Sequence, residues 1–329
     1  MTSSAVARST RTIDRRLVHR AQVHEVFLTD VEEGVGSFLA QLPSSHAYFC
    51  DSTSMRYGLV DILTLMEACR QAATAAAHLF WNVAEDRQFI LTRWRASFPV
   101  ASRPRYGIEA VDLRMQVSLE KPQFIGAMLT GGTTRVSVYT ATDGEAFVGT
   151  LELNVRYVGR EAYQFLRAGA RGGSPMPTST MRAPEGVAAD PRQVGCTRED
   201  NVTIGPPTVT AGGGHATLRL PFHNRSMFDH AQDHAPAMVM VEAARQLVHA
   251  TCPSVPAAGS LLTEVGGDFS TYVELDTSTH LVAAVREPQS LSLPLTTDVQ
   301  ISQDSQPAAS IVLTFDSPTT NTSRKEDRP

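Results

Sequence analysis

The sequence predicts an α+β protein built in tandem: two copies of one unit, each an antiparallel sheet wrapped round a single long buried helix. Three observations predict it. The block Met66-Glu67-Ala68-Cys69-Arg70-Gln71-Ala72 returns as Val241-Glu242-Ala243-Ala244-Arg245-Gln246-Leu247, a Glu and an Arg at i,i+3 in an otherwise apolar helix. The elements round each block follow the same order. The first of these helices is apolar round most of its circumference, through Leu59, Val60, Ile62, Leu63, Leu65, Met66, Ala68 and Cys69, which marks a helix with no solvent face. A length of 329 residues fits two units of about 150 each.

Each unit opens with a short alternating strand, at 23–28 and again at 201–205. A second strand follows and ends in Leu-Pro, at 37–43 and 215–221. Ala216, Leu218 and Leu220 alternate there with Thr217 and Arg219, the period of a half-buried strand. The apolar helix comes next, over 58–80 and 236–251. Both copies then carry Leu-Thr with a Phe six positions past the Thr: Leu91-Thr92 with Phe98, and Leu262-Thr263 with Phe269. Closing strands at 135–139 and 146–157 flank an Asp143-Gly144 turn, a hairpin signal. Strands at 299–302 and 308–315 flank Asp304-Ser305-Gln306. Gly212-Gly213-Gly214 lacks the GxxxxGK[ST] pattern of a phosphate loop and reads as a turn between strands.

These elements divide the chain into a flexible N-terminus (1–16), a first domain (17–159), a Gly/Pro-rich linker (160–193), a second domain (194–316) and a disordered tail (317–329). The linker and tail are dense in Gly, Pro, Ser and charge, with little to bury. A sheet wrapped round one long helix is the hotdog architecture; two copies make a tandem (double) hotdog.

A net charge of −5 argues against a nucleic-acid binder, which carries a basic stripe. Arg93, Arg95, Arg103 and Arg105 are scattered and read as a solvated face, with a docking patch for an acidic carrier protein as the alternative. Cys50, Cys69, Cys196 and Cys252 show no CxxC spacing, which fits a reducing, cytoplasmic setting. No apolar run is long enough for a membrane span, and the N-terminus has no apolar signal core.

Three blocks then resemble one family. They are Val18-His19-Arg20-Ala21 running to Glu25-Val26-Phe27-Leu28-Thr29-Asp30; Arg56-Tyr57-Gly58-Leu59-Val60 running to Glu67-Ala68-Cys69-Arg70-Gln71-Ala72; and Phe228-Asp229-His230 through Asp233-His234 to Glu242-Ala243-Ala244-Arg245-Gln246. In this order they resemble the A-factor biosynthesis hotdog family, over roughly 17–158 and 194–316. The resemblance implies an acyltransferase that joins a β-ketoacyl group, carried as a thioester on acyl carrier protein or coenzyme A, to the hydroxyl of dihydroxyacetone phosphate. The product leads to a γ-butyrolactone-type signalling molecule. The resemblance implies no metal and no further cofactor, and allows a homodimer. Similarity to β-hydroxyacyl dehydratases implies a His before the helix and an acid within it, here His230 and Glu242. The first unit has Asp51-Ser52-Thr53-Ser54 at that place and no His.

The repeated Glu and Arg pairs have two readings: an ion pair that packs a helix, or a site. In the second, a Glu in an apolar pocket, with its pKa raised by desolvation, takes a proton from the attacking hydroxyl. Arg binds phosphate through its planar fork. Glu242, Glu67 and His230 are the candidate catalytic residues, with most weight on Glu242. Arg245, Arg70, Asp229, Gln246 and Gln71 are the candidate substrate-binding set. The helix N-termini at Gly58 and Ala237 could polarise a thioester carbonyl. His230 and His234 with Asp229 and Asp233 lack a third ligand for a metal. Two rival classes stay open: a hotdog thioester dehydratase or thioesterase, and a non-catalytic acyl- or lactone-binding module.

Overall fold

The computed structural model describes residues 10–32, 36–108, 110–141, 145–181, 186–286 and 294–318. The first half runs β1 (Leu28–Glu32), β2 (Ser37–Leu42), short α1 (Thr53–Arg56), long α2 (Ile62–Leu79), β3 (Gln88–Ser97), β4 (Val111–Ile125), β5 (Met128–Thr140) and β6 (Phe147–Val158). Helix α3 (Arg160–Ala170) leads toward the second half. There follow β7 (Thr208–Thr210), β8 (Gly213–Thr217), α4 (Ala237–Thr251), β9 (Leu261–Phe269), β10 (Thr279–Val285), β11 (Leu295–Gln303) and β12 (Gln306–Asp316).

All these strands form one antiparallel sheet in the order β1-β2-β4-β5-β6-β3-β9-β12-β11-β10-β8-β7. The order reads the same from either edge once each strand is matched to its counterpart. The seam between the halves is β3 against β9, from Arg93 opposite Asp268 to Ser97 opposite Glu264. The repeated Leu-Thr…Phe blocks are therefore the strands that fuse the two units. Close approach at the seam needs Gly267, where a Cβ would meet Trp94 Nε1 at 2.5 Å.

Each half wraps its helix. In α2 only Arg70, His78 and Leu79 escape burial. Asp61 caps its start by accepting the Leu63 N–H, the expected use of an acid at a helix N-terminus. Helix α4 begins after Pro236, whose missing N–H is not needed there. Truncating a core residue such as Leu65, fully buried, costs about 2–5 kcal/mol by cavity formation.

The structure departs from the sequence reading in several places. The strands expected at 23–28 and 201–205 begin instead as 3-10 turns at Val23–Glu25 and Glu199–Asn201. The reason is the same in both halves. Gln71 takes the Phe27 N–H (2.8 Å) and the Glu25 carbonyl (2.7 Å), and Gln246 takes the Thr203 N–H (2.8 Å) and the Asn201 carbonyl (2.8 Å). Backbone groups that a helix side chain has claimed are unavailable to a strand partner. Part of the supposed flexible N-terminus is also held: Ile13 N–H reaches the Leu28 carbonyl, and Asp14 caps a turn at Arg15–Val18.

Within the segment read as linker, α3 is a docked amphipathic helix. Arg167 is fully buried, forks onto Glu274 (2.6 and 2.9 Å), and lies 4.3 Å over the Tyr272 ring. Tyr163 donates to Asp233 at 2.8 Å. Arg103, read as solvated, is buried and donates to the Phe98 and Leu262 carbonyls. Arg93 and Arg95 pair with Asp268 across the seam. The Asp304-Ser305 turn has both residues at positive φ, 46° and 63°, as a two-residue hairpin requires. The Asp143-Gly144 turn, residues 1–9 and most of the tail lie outside the described residues.

Candidate active site

The two Glu/Arg blocks occupy matching places in the fold and opposite environments. A cavity of about 1510 Å³ runs between the halves. Its polar wall presents His19, Arg20, Glu67, Arg70, Asp229 and His230; Phe89, Leu91, Trp94, Leu153 and Met240 supply an apolar wall. Glu242 and Arg245 do not line it.

At the open site, Glu67 is a buried carboxylate gripped from two sides. Arg20 donates from Nε (3.1 Å) and brings a terminal nitrogen to 2.7 Å in an ion pair, Arg70 donates from Nε (2.8 Å) and a terminal nitrogen (2.8 Å), and Gln71 from Nε2 (2.7 Å). Burial would raise its pKa, but the two guanidiniums hold the carboxyl down to about 2. Glu67 is thus a fixed anion and not the proton acceptor that the sequence suggested. Its work is to hold two arginines at the wall. Each keeps one terminal nitrogen with no hydrogen-bond partner among the described residues.

The second half contributes the imidazole. Asp229 accepts the Ala21 N–H (2.5 Å) and the Gln22 N–H (3.2 Å), which pins the loop before α4 against the N-terminal segment. The same carboxylate lies 3.4 Å from His230 Nδ1. His230 Nε2 meets the Gln232 side-chain amide at 2.8 Å. With Nδ1 carrying the hydrogen toward Asp229, the Nε2 lone pair accepts from the Gln232 amide at the cavity wall. His230 and Glu67, from different halves, therefore share one wall, and the weight placed on Glu242 moves to them.

The sealed site keeps the same framework. Asp51 accepts the Thr197 and Arg198 N–H groups (2.8 and 3.0 Å), as Asp229 accepts those of Ala21 and Gln22. Gln246 bonds Glu242 at 2.8 Å, as Gln71 bonds Glu67. Gly195 at φ 84° stands where His19 stands at φ 52°. By this correspondence Cys196 replaces Arg20 and Ser52 replaces His230. The N-cap Asp61 sits where the other half has the N-cap Pro236. Asp61 receives both hydrogen bonds of one Arg245 nitrogen (3.0 and 2.9 Å), while another Arg245 nitrogen meets Glu242 at 2.5 Å. Tyr48 closes the cluster with a 3.3 Å bond to Glu242. Burial raises the Glu242 pKa, but Glu242 stands behind Tyr48 and does not line the cavity. Arg245 spends both terminal nitrogens on Asp61 and Glu242, away from the cavity. Gln71 and Gln246 brace the helices, as described for the 3-10 turns.

Sequence reasoning missed His19 and Arg20 as site residues, although both stand in the N-terminal block that carries the resemblance. The spacing gave no reason to bring that block to α2. His234 pairs with Asp233 at 2.5 Å and helps fasten α3.

Comparisons with known proteins bear on the family and the fold. The model of the A-factor biosynthesis hotdog domain matches residues 1–159 and 179–317. A Streptomyces virginiae protein named 2-oxo-3-(phosphooxy)propyl 3-oxoalkanoate synthase is 32% identical over 281 residues, covering 81% of this chain and 85% of that one. A Streptomyces griseus protein of the same name is 25% identical over 318 residues, covering 95% and 94%. Among solved structures, a Lactobacillus plantarum protein assigned as an oleoyl thioesterase superposes with TM-score 0.53 at 10% identity, covering 87% of this chain and 98% of that one. A Thermobifida fusca protein assigned as a thioesterase II gives 0.51 at 11% identity, covering 92% and 98%. These two share the fold, which confirms the hotdog architecture. Among the described residues, no helix is long and apolar enough to cross a membrane.

Proposed function

This chain belongs to the A-factor biosynthesis hotdog family, and we propose that its open cavity is where a 3-oxoacyl group passes from a thioester to the hydroxyl of dihydroxyacetone phosphate. The enzyme is an acyltransferase, and its product is a 2-oxo-3-(phosphooxy)propyl 3-oxoalkanoate. The observation that carries the placement is one wall holding two arginines with free N–H groups beside a carboxylate-oriented imidazole.

The groups divide the work. Arg20 and Arg70 face the phosphate, a task that suits guanidinium forks. The apolar wall takes the acyl chain. The acceptor hydroxyl displaces the Gln232 amide from His230 Nε2, and its oxygen attacks the thioester carbonyl carbon as its proton passes to that nitrogen. The C–S bond then breaks, and the departing thiolate takes that proton as the ester forms. Asp229 keeps the imidazole in the tautomer this needs and favours its charged form. The thioester supplies the driving force, so the scheme calls for no metal or redox cofactor. The donor is carried on acyl carrier protein or coenzyme A.

The test is direct. Purified protein is incubated with dihydroxyacetone phosphate and a panel of β-ketoacyl thioesters on both carriers, and products are identified by mass. A phosphorylated ester is expected. Free acid without ester would mean thioesterase action, loss of water from the acyl chain would mean dehydration, and binding without turnover would mean a binding module. Any of these three alone overturns the reading.

A further inference from the structure

His19 is the cavity residue for which transfer chemistry has so far required nothing, and its surroundings are specific. His19 Nε2 lies 2.9 Å from His78 Nε2, and His78 Nδ1 lies 2.7 Å from the Val83 carbonyl. A carbonyl can only accept, so His78 Nδ1 carries a hydrogen. In a neutral His78, Nε2 is then an acceptor, and the hydrogen between the rings belongs to His19 Nε2. His19 Nδ1 is left as a bare lone pair, with no partner among the described residues. The edge of Phe89, at a ring-centroid distance of 4.8 Å, further fixes the ring.

The neighbours explain why that nitrogen is bare. Arg70 and His78 act on the imidazole from α2, and His230 acts on it from the loop before α4. Arg20 follows it in the chain, and Glu67 is occupied by the two arginines. Burial first, then the positive charge of Arg70, holds the imidazolium down to about 3. A lone pair beside two arginines does not attract an anion as it stands. A dianion held by those arginines reverses the field. Two unit charges 4 Å apart interact by about 4 kcal/mol at an effective dielectric constant of 20, and a dianion doubles that.

We propose that His19 is a third ligand for the phosphoryl group, binding it through a protonated Nδ1, so that the cavity takes up a proton as the phosphorylated acceptor enters. The identity of the anion rests on the proposed acyl transfer to dihydroxyacetone phosphate; the proton uptake does not. The His78 and Val83 chain suits this role, because it anchors the ring through the nitrogen that faces away from the ligand in both protonation states. The sealed site keeps the anchor and lacks the ligand: His249 turns its Nδ1 to the Val255 carbonyl (3.2 Å), but Gly195 stands where His19 would be.

Sulfate tests the idea without turnover, since it is a dianion with no proton to exchange near neutral pH. Calorimetry of sulfate binding at pH 7, in two buffers of different ionisation heat, is expected to report net uptake approaching one proton. Histidine-selective NMR of the unmodified protein is expected to show one imidazole passing from neutral to cationic on adding sulfate. His19→Asn should remove both signals and raise KM for dihydroxyacetone phosphate about tenfold with kcat held. In the unmodified protein that KM should rise with pH, by about tenfold per unit at the steepest. Sulfate binding without proton uptake overturns the proposal. So does uptake that persists in His19→Asn, which would assign the proton to His230. If that variant does not fold, His230→Asn decides: uptake that persists there leaves the proton on His19, and uptake lost there overturns the proposal. If no acyl transfer is found and sulfate still brings uptake, the proposed function fails and the anion site stands.

Discussion

The open and sealed sites are one framework used twice. Helix glutamine, helix glutamate, helix arginine and a carboxylate clasping two backbone N–H groups recur in both. The difference lies in who balances the helix pair. At the open site a second cation, Arg20, joins Glu67 and Arg70, so the cluster of three carries one net positive charge. At the sealed site a second anion, Asp61, joins Glu242 and Arg245, so the excess charge is negative and unsuited to an anion. A residue outside the repeated block, and in one case from the other half, decides which copy is a site.

Breaking the sealed site should cost the most. Asp61→Ala strips Arg245 of its bidentate partner in a fully buried setting and removes the α2 cap. A stability loss of about 3–5 kcal/mol is expected in denaturant titration, with the transfer rate per folded molecule retained. A loss of transfer out of proportion to folding would break the comparison.

Next in size is a conversion of one site into the other. Pro236→Asp places a carboxylate where Asp61 stands in the other half, at a position that tolerates Asp as a helix cap. Pairing with Arg70 should lower kcat/KM by about 10²–10³ while stability holds or rises. Unchanged kinetics would show that the pseudo-symmetry does not extend to this contact.

The pH dependence of Glu67 separates the sites further. Its folded pKa is depressed, so its contribution is present in full above the unfolded carboxyl value, about 4.3, and is lost as pH falls through about 2. The stability advantage of the unmodified protein over Glu67→Gln should therefore be flat above pH 5 or so and shrink below it. An advantage that grew on acidification would contradict the double-arginine clamp.

The smallest effect is expected from Glu242→Gln. Asp61 still neutralises Arg245, and an amide fills the same space, so about 1 kcal/mol of stability is at stake and transfer should persist. The sequence reading had placed the chemistry on Glu242, and abolished transfer here would restore that reading.

The helices and the seam strands were legible because their signals are local: an apolar circumference for α2 and α4, and alternation with a repeated Leu-Thr…Phe for β3 and β9. The repeat also announced that a Glu and an Arg mattered twice. What spacing could not supply was the third member of each cluster. Arg20 reaches α2 from the N-terminal segment and Asp61 reaches α4 from the other half, and no periodicity encodes such contacts. Helix α3 was hidden by averaging, since the Gly and Pro of 172–191 diluted an amphipathic stretch whose buried Arg167 finds its carboxylates only in the folded chain.

The seam has a consequence for the cell's handling of this chain. Pairing β3 with β9 gives each half, taken by itself, a raw border of unpaired backbone groups on a strand whose inward residues include Trp94 or Val265. Such borders recruit other chains. During synthesis the first half is complete long before β9 leaves the ribosome, so it passes through an adhesive stage. Dividing the gene at α3 would make that stage permanent, and two soluble half-proteins are not to be had by simple truncation.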